Sequence, residues 1–193
     1  MSFSNAALLV MDVQQGVVQR FGGSSESLDP FQRAVGAARA AGVPVIFVRV
    51  AFRHGYPEVS PRNKRFSAIS NREEMTRDDA STQVHPLIAP RPDEVVVTKL
   101  RVSAFSGSDL EVVLRAKQVE TLVLTGIATS GVVLSTLREA ADKDFRLVVL
   151  ADACLDADAE VHRVLIEKVF PRQAEVMTVE AWAKSLKGRD ERK

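Results

Sequence analysis

The segment Thr125-Gly126-Ile127-Ala128-Thr129-Ser130-Gly131-Val132-Val133-Leu134-Ser135-Thr136 has the pattern of an apolar strand running through a turn into a helix, the kind of turn that presents backbone amides. Two more groups fit for chemistry close apolar runs elsewhere, Asp12 and Lys99. If the three sites converge, Asp12 supplies a proton carrier and Lys99 its charge partner, with the amides of Ala128, Gly131 and Val132 as an oxyanion cradle. That set suits hydrolysis of a small molecule, provided that something attacks. Val132 stands where such a turn places its reactive side chain, and an isopropyl group cannot attack a carbonyl. Singly, each residue has a plainer reading: an Asp closing a strand caps or turns, Lys99 is a rim charge, and Gly126 and Gly131 serve backbone geometry. Only their joint placement points to a site.

The elements that must position these residues are legible as periodicity. Six β-branched or aliphatic runs, at 7–11, 44–50, 94–98, 121–125, 146–150 and 174–177, alternate with helical patterns. That alternation predicts one α/β domain over 1–193, a three-layer Rossmann-like fold with a six-stranded, mostly parallel sheet and helices on both faces. In such sheets ligands bind beyond the carboxyl ends of the strands, where the connection order reverses, and Asp12, Lys99 and the 128–132 turn all lie at such ends. Asp29 and Pro30 read as the start of the first long helix, which buries Phe31, Ala34, Val35 and Ala38 and stops at Gly42. Ser108 with Glu111 has capping-box spacing, Ser130 reads as a cap, and Asp158 precedes a helix carrying Val161, Val164, Leu165 and Val169. Residues 52–92 break the rhythm, as either a solvated excursion with a short helix near Phe66 and Ile69 or a substrate-binding lid.

Composition excludes several classes. Lys and Arg number 26 against 25 Asp and Glu, so a net charge of +1 gives no field to steer the chain to nucleic acid. No apolar run approaches the roughly 20 residues of a membrane span, and residues 1–5 lack the pattern of a leader; the expectation is a soluble cytoplasmic protein. One cysteine and three scattered histidines form no zinc pattern, so neither metal nor other cofactor is expected. His54, His85 and His162 read as turn or surface residues, and the charged 187–193 segment as a frayed terminus. A phosphate-loop reading of Gly126 to Gly131 fails for want of a Lys-Ser/Thr pair.

Nearly the whole chain resembles the isochorismatase-like cysteine hydrolase superfamily, which includes nicotinamidases, carbamoylsarcosine hydrolases and isochorismatases. The resemblance rests on Leu9-Val10-Met11-Asp12-Val13-Gln14, on Val97-Thr98-Lys99 with Ser103-Ala104-Phe105 and Asp109-Leu110, on Gly126-Ile127-Ala128-Thr129 with Ser135-Thr136, and on Asp152-Ala153-Cys154 with His162. It implies an Asp-Lys-Cys triad in which Asp12 is the general base or acid, Lys99 adjusts its pKa and helps hold substrate, and the thiol position falls at Val132. It also implies a cis peptide joining Ile127 to Ala128, and a homodimer or higher homo-oligomer. The family's nicotinamidase metal site needs an Asp-x-His pair that Arg49 to His54 does not provide.

Without the thiol, Thr129, Ser130, Ser135 or Thr136 could supply a hydroxyl, or Cys154 could reach the site from the neighbouring strand at a spacing of about 4.8 Å. Alternatively the resemblance to isochorismatases implies a route with no covalent intermediate, in which Asp12 protonates a vinyl ether and water adds. Arg53, Arg62, Lys64, Arg65 and Arg101 are candidate carboxylate clamps, with Arg53 and Phe105 the expected substrate contacts. The competing reading is a catalytically silent relative that binds a small ligand or a protein partner in the same pocket.

Overall fold

The computed structural model of the chain describes residues 5–21 and 24–187. The expectations for the first four residues and for the charged tail after Lys187 lie outside them. Six strands form one parallel sheet in the order β3-β2-β1-β4-β5-β6, with β1 Ala6–Met11, β2 Val45–Val50, β3 Val95–Lys99, β4 Thr121–Ile127, β5 Arg146–Leu155 and β6 Glu175–Met177. The order runs outward in opposite directions from β1 and β4, so the connection order reverses between them, and a crevice opens at their carboxyl ends.

Strand alternation divides the core into two layers. Leu8, Val10, Phe47, Val123 and Val148 pack on one face against α2 (Ser25–Ala40) and α7 (Val179–Lys187), whose Phe31, Ala34, Ala38 and Trp182 are buried. Leu9, Met11, Ile46, Val97, Leu124 and Val149 pack on the other against α4 (Leu110–Ala116), α5 (Leu134–Asp142) and the helical stretch that continues α6 (Ala159–Val164) through Leu165 to Phe170. Side chains at i and i+2 share a face, so a central strand buried on both sides is apolar throughout. All six residues of β1 and all seven of β4 are buried.

Several local expectations shift. Ser24, not Asp29, caps α2 by accepting from Ser27 N at 3.3 Å; Asp29 lies inside the helix and pairs with Arg33 one turn on at 2.8 Å. Ser108 accepts from Leu110 N rather than from Glu111. Ser130 caps nothing: its own amide donates to Asp156 Oδ2 at 2.7 Å, and Thr129–Val133 forms a wide turn before α5. Asp158 does cap α6, accepting from Glu160 N and Val161 N, but Val161 is exposed while Leu165 is buried, because the helix winds wider after Val164 and turns Leu165 and Phe170 inward. β5 runs five residues beyond the predicted 150, re-pairing past an irregularity so that Cys154 lies opposite Gly126.

The 52–92 excursion holds α3 (Lys64–Ser70), capped by Asn63 accepting from Phe66 N at 3.1 Å. Phe66, Ile69, Met75, Phe52 and Val50 form a third small apolar cluster, which anchors the excursion over the end of β2. Gln14 ties it down further. Fully buried, its Oε1 accepts from Val50 N at 3.0 Å, while Nε2 donates to Val50 O at 3.0 Å and Thr82 O at 2.8 Å. The side-chain amide thus serves as a one-residue strand partner for β2 and fixes the excursion beside Asp12.

Candidate active site

Asp12 follows the last residue of β1 with φ +56°, its amide donating to Val48 O at 2.8 Å. This left-handed step turns the chain off the sheet and leaves the carboxylate at the β1/β4 reversal. Lys99 closes β3, two strands away. Register places it beside Val50, and its long side chain crosses the end of β2 to bring Nζ 2.7 Å from Asp12 Oδ2. Lys99 is 1% exposed and Asp12 8%, so the pair is removed from water.

The hydrogen bonds of Lys99 favour its charged form. Lys99 Nζ donates to Asp12 Oδ2, to Val102 O at 2.7 Å and to Arg101 O at 3.1 Å, using the three donors of an ammonium. Burial pulls its pKa down, opposed by the Asp12 charge, but three acceptors hold the proton in place. On the acid, burial pushes the pKa up more than Lys99 and the more distant Arg65 pull it down. Asp12 Oδ1 is buried and has no hydrogen-bond partner, leaving it the one open position of the pair for a proton.

Asp12 lines a cavity of about 190 Å³ together with Ile127 and Ala128 of the turn, Val17 and Arg20 of α1 (Gln15–Arg20), Phe21, Val50, and Arg65, Phe66, Ile69, Arg72 and Met75 of the excursion. The excursion thus walls the site. The Ile127–Ala128 peptide is cis. Gly126 leaves no room for a side chain against β1: a Cβ there would lie 2.6 Å from Met11 O, one residue before Asp12. Gly131 has no such constraint, since a Cβ would meet only Ala128 Cβ at 3.7 Å.

Other sequence candidates scatter. Val132, 2% exposed, belongs to the same core layer as Phe105, Leu165 and Cys154. Cys154 is equally buried, and burial pushes its thiol up to about 12, which leaves almost no thiolate at neutral pH. Phe105 stacks on Phe145 with ring centroids 6.1 Å apart and belongs to that core layer. Arg53 turns to Glu58 at 2.7 Å, and Arg101 donates to Leu100 O and Glu58 O with its guanidinium over the Phe66 ring. Of the basic residues considered as clamps, Arg65 is the one that lines the cavity; Arg20 and Arg72 join it from positions that periodicity gave no reason to single out.

Thr129 Oγ1 is 2.8 Å from His162 Nδ1, which pins the turn to α6. His162 is therefore no plain surface residue; the apolar spacing around it marked the helix, and nothing in it marked the partner. His85 Nδ1 accepts from Leu87 N within its own turn, and His54 faces Asp78 at the exposed surface. Among the described residues no three His, Cys, Asp or Glu side chains are grouped to hold a metal, and no helix is long and apolar enough to cross a membrane.

The structure is a three-layer parallel α/β sheet with an acid and a lysine buried together at its topological reversal, the place where such sheets bind ligands. The family follows from comparison with known proteins. The isochorismatase domain profile matches residues 6–181. The chain is 35% identical over 178 residues to the uncharacterized isochorismatase family protein YecD of Escherichia coli O157:H7, covering 90% of this chain and 92% of that one. It is 30% identical to the ureidoacrylate amidohydrolase RutB of Stutzerimonas stutzeri, covering 96% and 82%. A crystal structure of a cysteine hydrolase from Pseudomonas syringae pv. phaseolicola superposes with a TM-score of 0.88 at 25% identity, over 97% of this chain and 95% of that one. The chain belongs to the isochorismatase family.

Proposed function

We propose that this protein hydrolyses a small polar metabolite with Asp12 as general acid and without a thiol nucleophile, Val132 occupying the thiol position. The observation that supports it most is the division of labour within one carboxyl group: Oδ2 is held by Lys99, and Oδ1 is buried, unpartnered and part of a residue lining the cavity. A carboxyl raised by burial keeps a proton to nearer neutral pH than an exposed one, which is what a general acid needs. With a vinyl ether, Asp12 gives its proton to the alkene carbon, forming a C–H bond and an oxygen-stabilised cation. Water adds to that cation, its surplus proton returns to Asp12, and the hemiketal breaks to a carbonyl compound and an alcohol. Lys99 keeps its proton throughout and stabilises the carboxylate while it is ionised. Hydrolysis of a C–N bond by water in the same cavity is the other bond class, and amide cleavage is named for the relative RutB.

A second reading, a silent relative that binds without cleaving, draws support from the burial of both Val132 and Cys154 in the apolar layer. Turnover separates the two. Wild-type, Asp12→Asn, Cys154→Ala and Val132→Cys proteins are assayed against isochorismate and a panel of small amides and carbamoyl compounds. Wild-type turnover that survives Cys154→Ala and disappears in Asp12→Asn is the expected result. Silence in the wild type with activity only in Val132→Cys would establish the binding protein instead.

A further inference from the structure

The ammonium of Lys99 is held by two carbonyls that no regular element positions. Residues 100–109 lie in neither helix nor strand, so the aim of Arg101 O and Val102 O, 3.1 and 2.7 Å from Lys99 Nζ, depends on what the loop touches. Leu100 N closes the loop by donating to Ser106 O at 3.2 Å, and Ala104 N ties it to α5 by donating to Thr136 Oγ1 at 2.9 Å. Leu100 and Val102 rest against the small apolar cluster that holds Phe52, Phe66 and Met75. The polar tie from this loop to the excursion is the Arg101 guanidinium. Its Nη1 donates to Leu100 O at 2.6 Å, its Nη2 donates to Glu58 O at 2.8 Å, and its central carbon lies 5.8 Å from the centre of the Phe66 ring. Glu58 is fixed in turn, its Oε1 accepting from Arg53 N at 3.3 Å and from Arg53 Nη1 at 2.7 Å. With both ends of its fork engaged inside the chain, Arg101 is not a clamp waiting for a ligand.

We infer that Arg101 is a positioning residue for the buried pair: forked between its own loop and the excursion, it keeps the Arg101 and Val102 carbonyls on Lys99 Nζ, and through them the ammonium on Asp12 Oδ2. A guanidinium suits the task. Its planar fork serves two carbonyls while its face covers an aromatic ring, a geometry that the point charge of a lysine does not reproduce. Such a role has a signature in the ionisation of the pair. Burial pulls Lys99 down, and acceptors aimed at the ammonium oppose it; a charged, well-placed Lys99 in turn pulls Asp12 down against its own burial. Loosening the two carbonyls therefore lowers Lys99 further and raises Asp12. A bare charge effect has the opposite sign on the lysine, because deleting a neighbouring cation makes its proton easier to keep. Arg65, whose charge both members feel, is common to every variant below and cancels in the comparison. The inference rests on the reading of Asp12 and Lys99 as the working pair, but its test needs no substrate.

The experiment is an NMR titration, in carbon-labelled protein, of the Asp12 carboxyl and the Lys99 ε-carbon in wild type and Arg101→Met, which keeps an apolar stem on Phe66 and deletes the fork. Signals are assigned by their loss in Asp12→Asn and Lys99→Met, and Lys99→Met also sets the full range over which Asp12 can move. In Arg101→Met the Lys99 titration is expected to shift to lower pH and that of Asp12 to higher pH, the latter by less than in Lys99→Met. A Lys99 titration that stays in place or moves up overturns the assignment, even where the melting temperature falls, since loss of packing alone would give that. Should the methionine variant not fold, Arg101→Lys, which keeps the charge and the stem without the fork, carries the same test with smaller expected shifts and the same overturning result. Wild-type turnover beside an unmoved Lys99 would keep the hydrolase reading and remove this one; the expected shifts in a protein that turns nothing over would do the reverse.

Discussion

Replacing Lys99 with methionine isolates the energetic logic of the buried pair. Methionine keeps most of the apolar stem but deletes the ammonium, leaving the Asp12 carboxylate without its counter-ion and the Arg101 and Val102 carbonyls without a donor. Breaking a buried ion pair from one side costs about 3–5 kcal/mol. At roughly 2–4 °C per kcal/mol for a chain of this length, that lowers Tm by about 6–20 °C. The cost must depend on pH, because Asp12 can escape its unpaired charge by taking up a proton. Lys99 pulls the Asp12 pKa down, so its removal lifts a value that burial already holds above the usual 3.8. The folded state then binds more protons than the unfolded state from the ordinary carboxylate range up to that raised value. Stability of the variant therefore falls as pH rises through this window, by at most about 1.4 kcal/mol per pH unit. Wild-type protein falls less steeply there, since its carboxyl is raised less. Thermal melts of both proteins at pH 5 and pH 8 measure this directly: the Tm gap should be wider at pH 8. A gap that is equal at the two pH values, or narrower at pH 8, refutes the claim that Asp12 and Lys99 depend on each other as a buried charged pair.

Two further changes test the surroundings of the pair. Gly126→Ala places a Cβ 2.6 Å from Met11 O, and because β1 and β4 are both held in the sheet the strands must part just below Asp12. A loss of about 1–3 kcal/mol with reduced turnover is expected, whereas Gly131→Ala, which meets nothing closer than 3.7 Å, should stay within about 0.5 kcal/mol of wild type; chemical denaturation compares them. Cys154, buried and with its thiol raised to about 12, should resist a thiol reagent at pH 8 in folded protein and react within seconds once denatured; rapid labelling of the native state would reopen its candidacy as a nucleophile.

Much of this architecture was readable in the linear chain because the signals are local and repeated. The six apolar runs predicted all six strands, and the reversal rule for parallel sheets led from them to Asp12 and the turn after β4, since a strand buried on both faces has no use for a charge until it ends. The spacing of Phe31, Ala34, Val35 and Ala38 marked the buried stripe of α2 for the same reason: 3.6 residues per turn is written into the sequence. Helix starts were less legible. Asp29 and Ser130 have cap chemistry, but a cap works only where the backbone leaves its helix, and packing of neighbouring elements moved those points to Ser24 and Ala128.

Tertiary structure alone decided which polar side chains meet. Lys99 and Asp12 are separated by 87 positions, and their 2.7 Å contact exists because only β2 lies between their strands and the long Lys99 side chain spans it. Thr129 and His162, Gln14 and Val50, and Arg20 and Glu74 likewise meet across long stretches of chain. Nothing in the residue type distinguishes Arg65, which faces the site, from Arg53, which folds back on Glu58. Periodicity reports whether a position faces the core or the solvent, because burial is a property of one residue and its element. A hydrogen bond or a binding cluster depends on the relative placement of several elements, and that placement is fixed only when the sheet is assembled and the excursion packs Phe66 and Ile69 over its end.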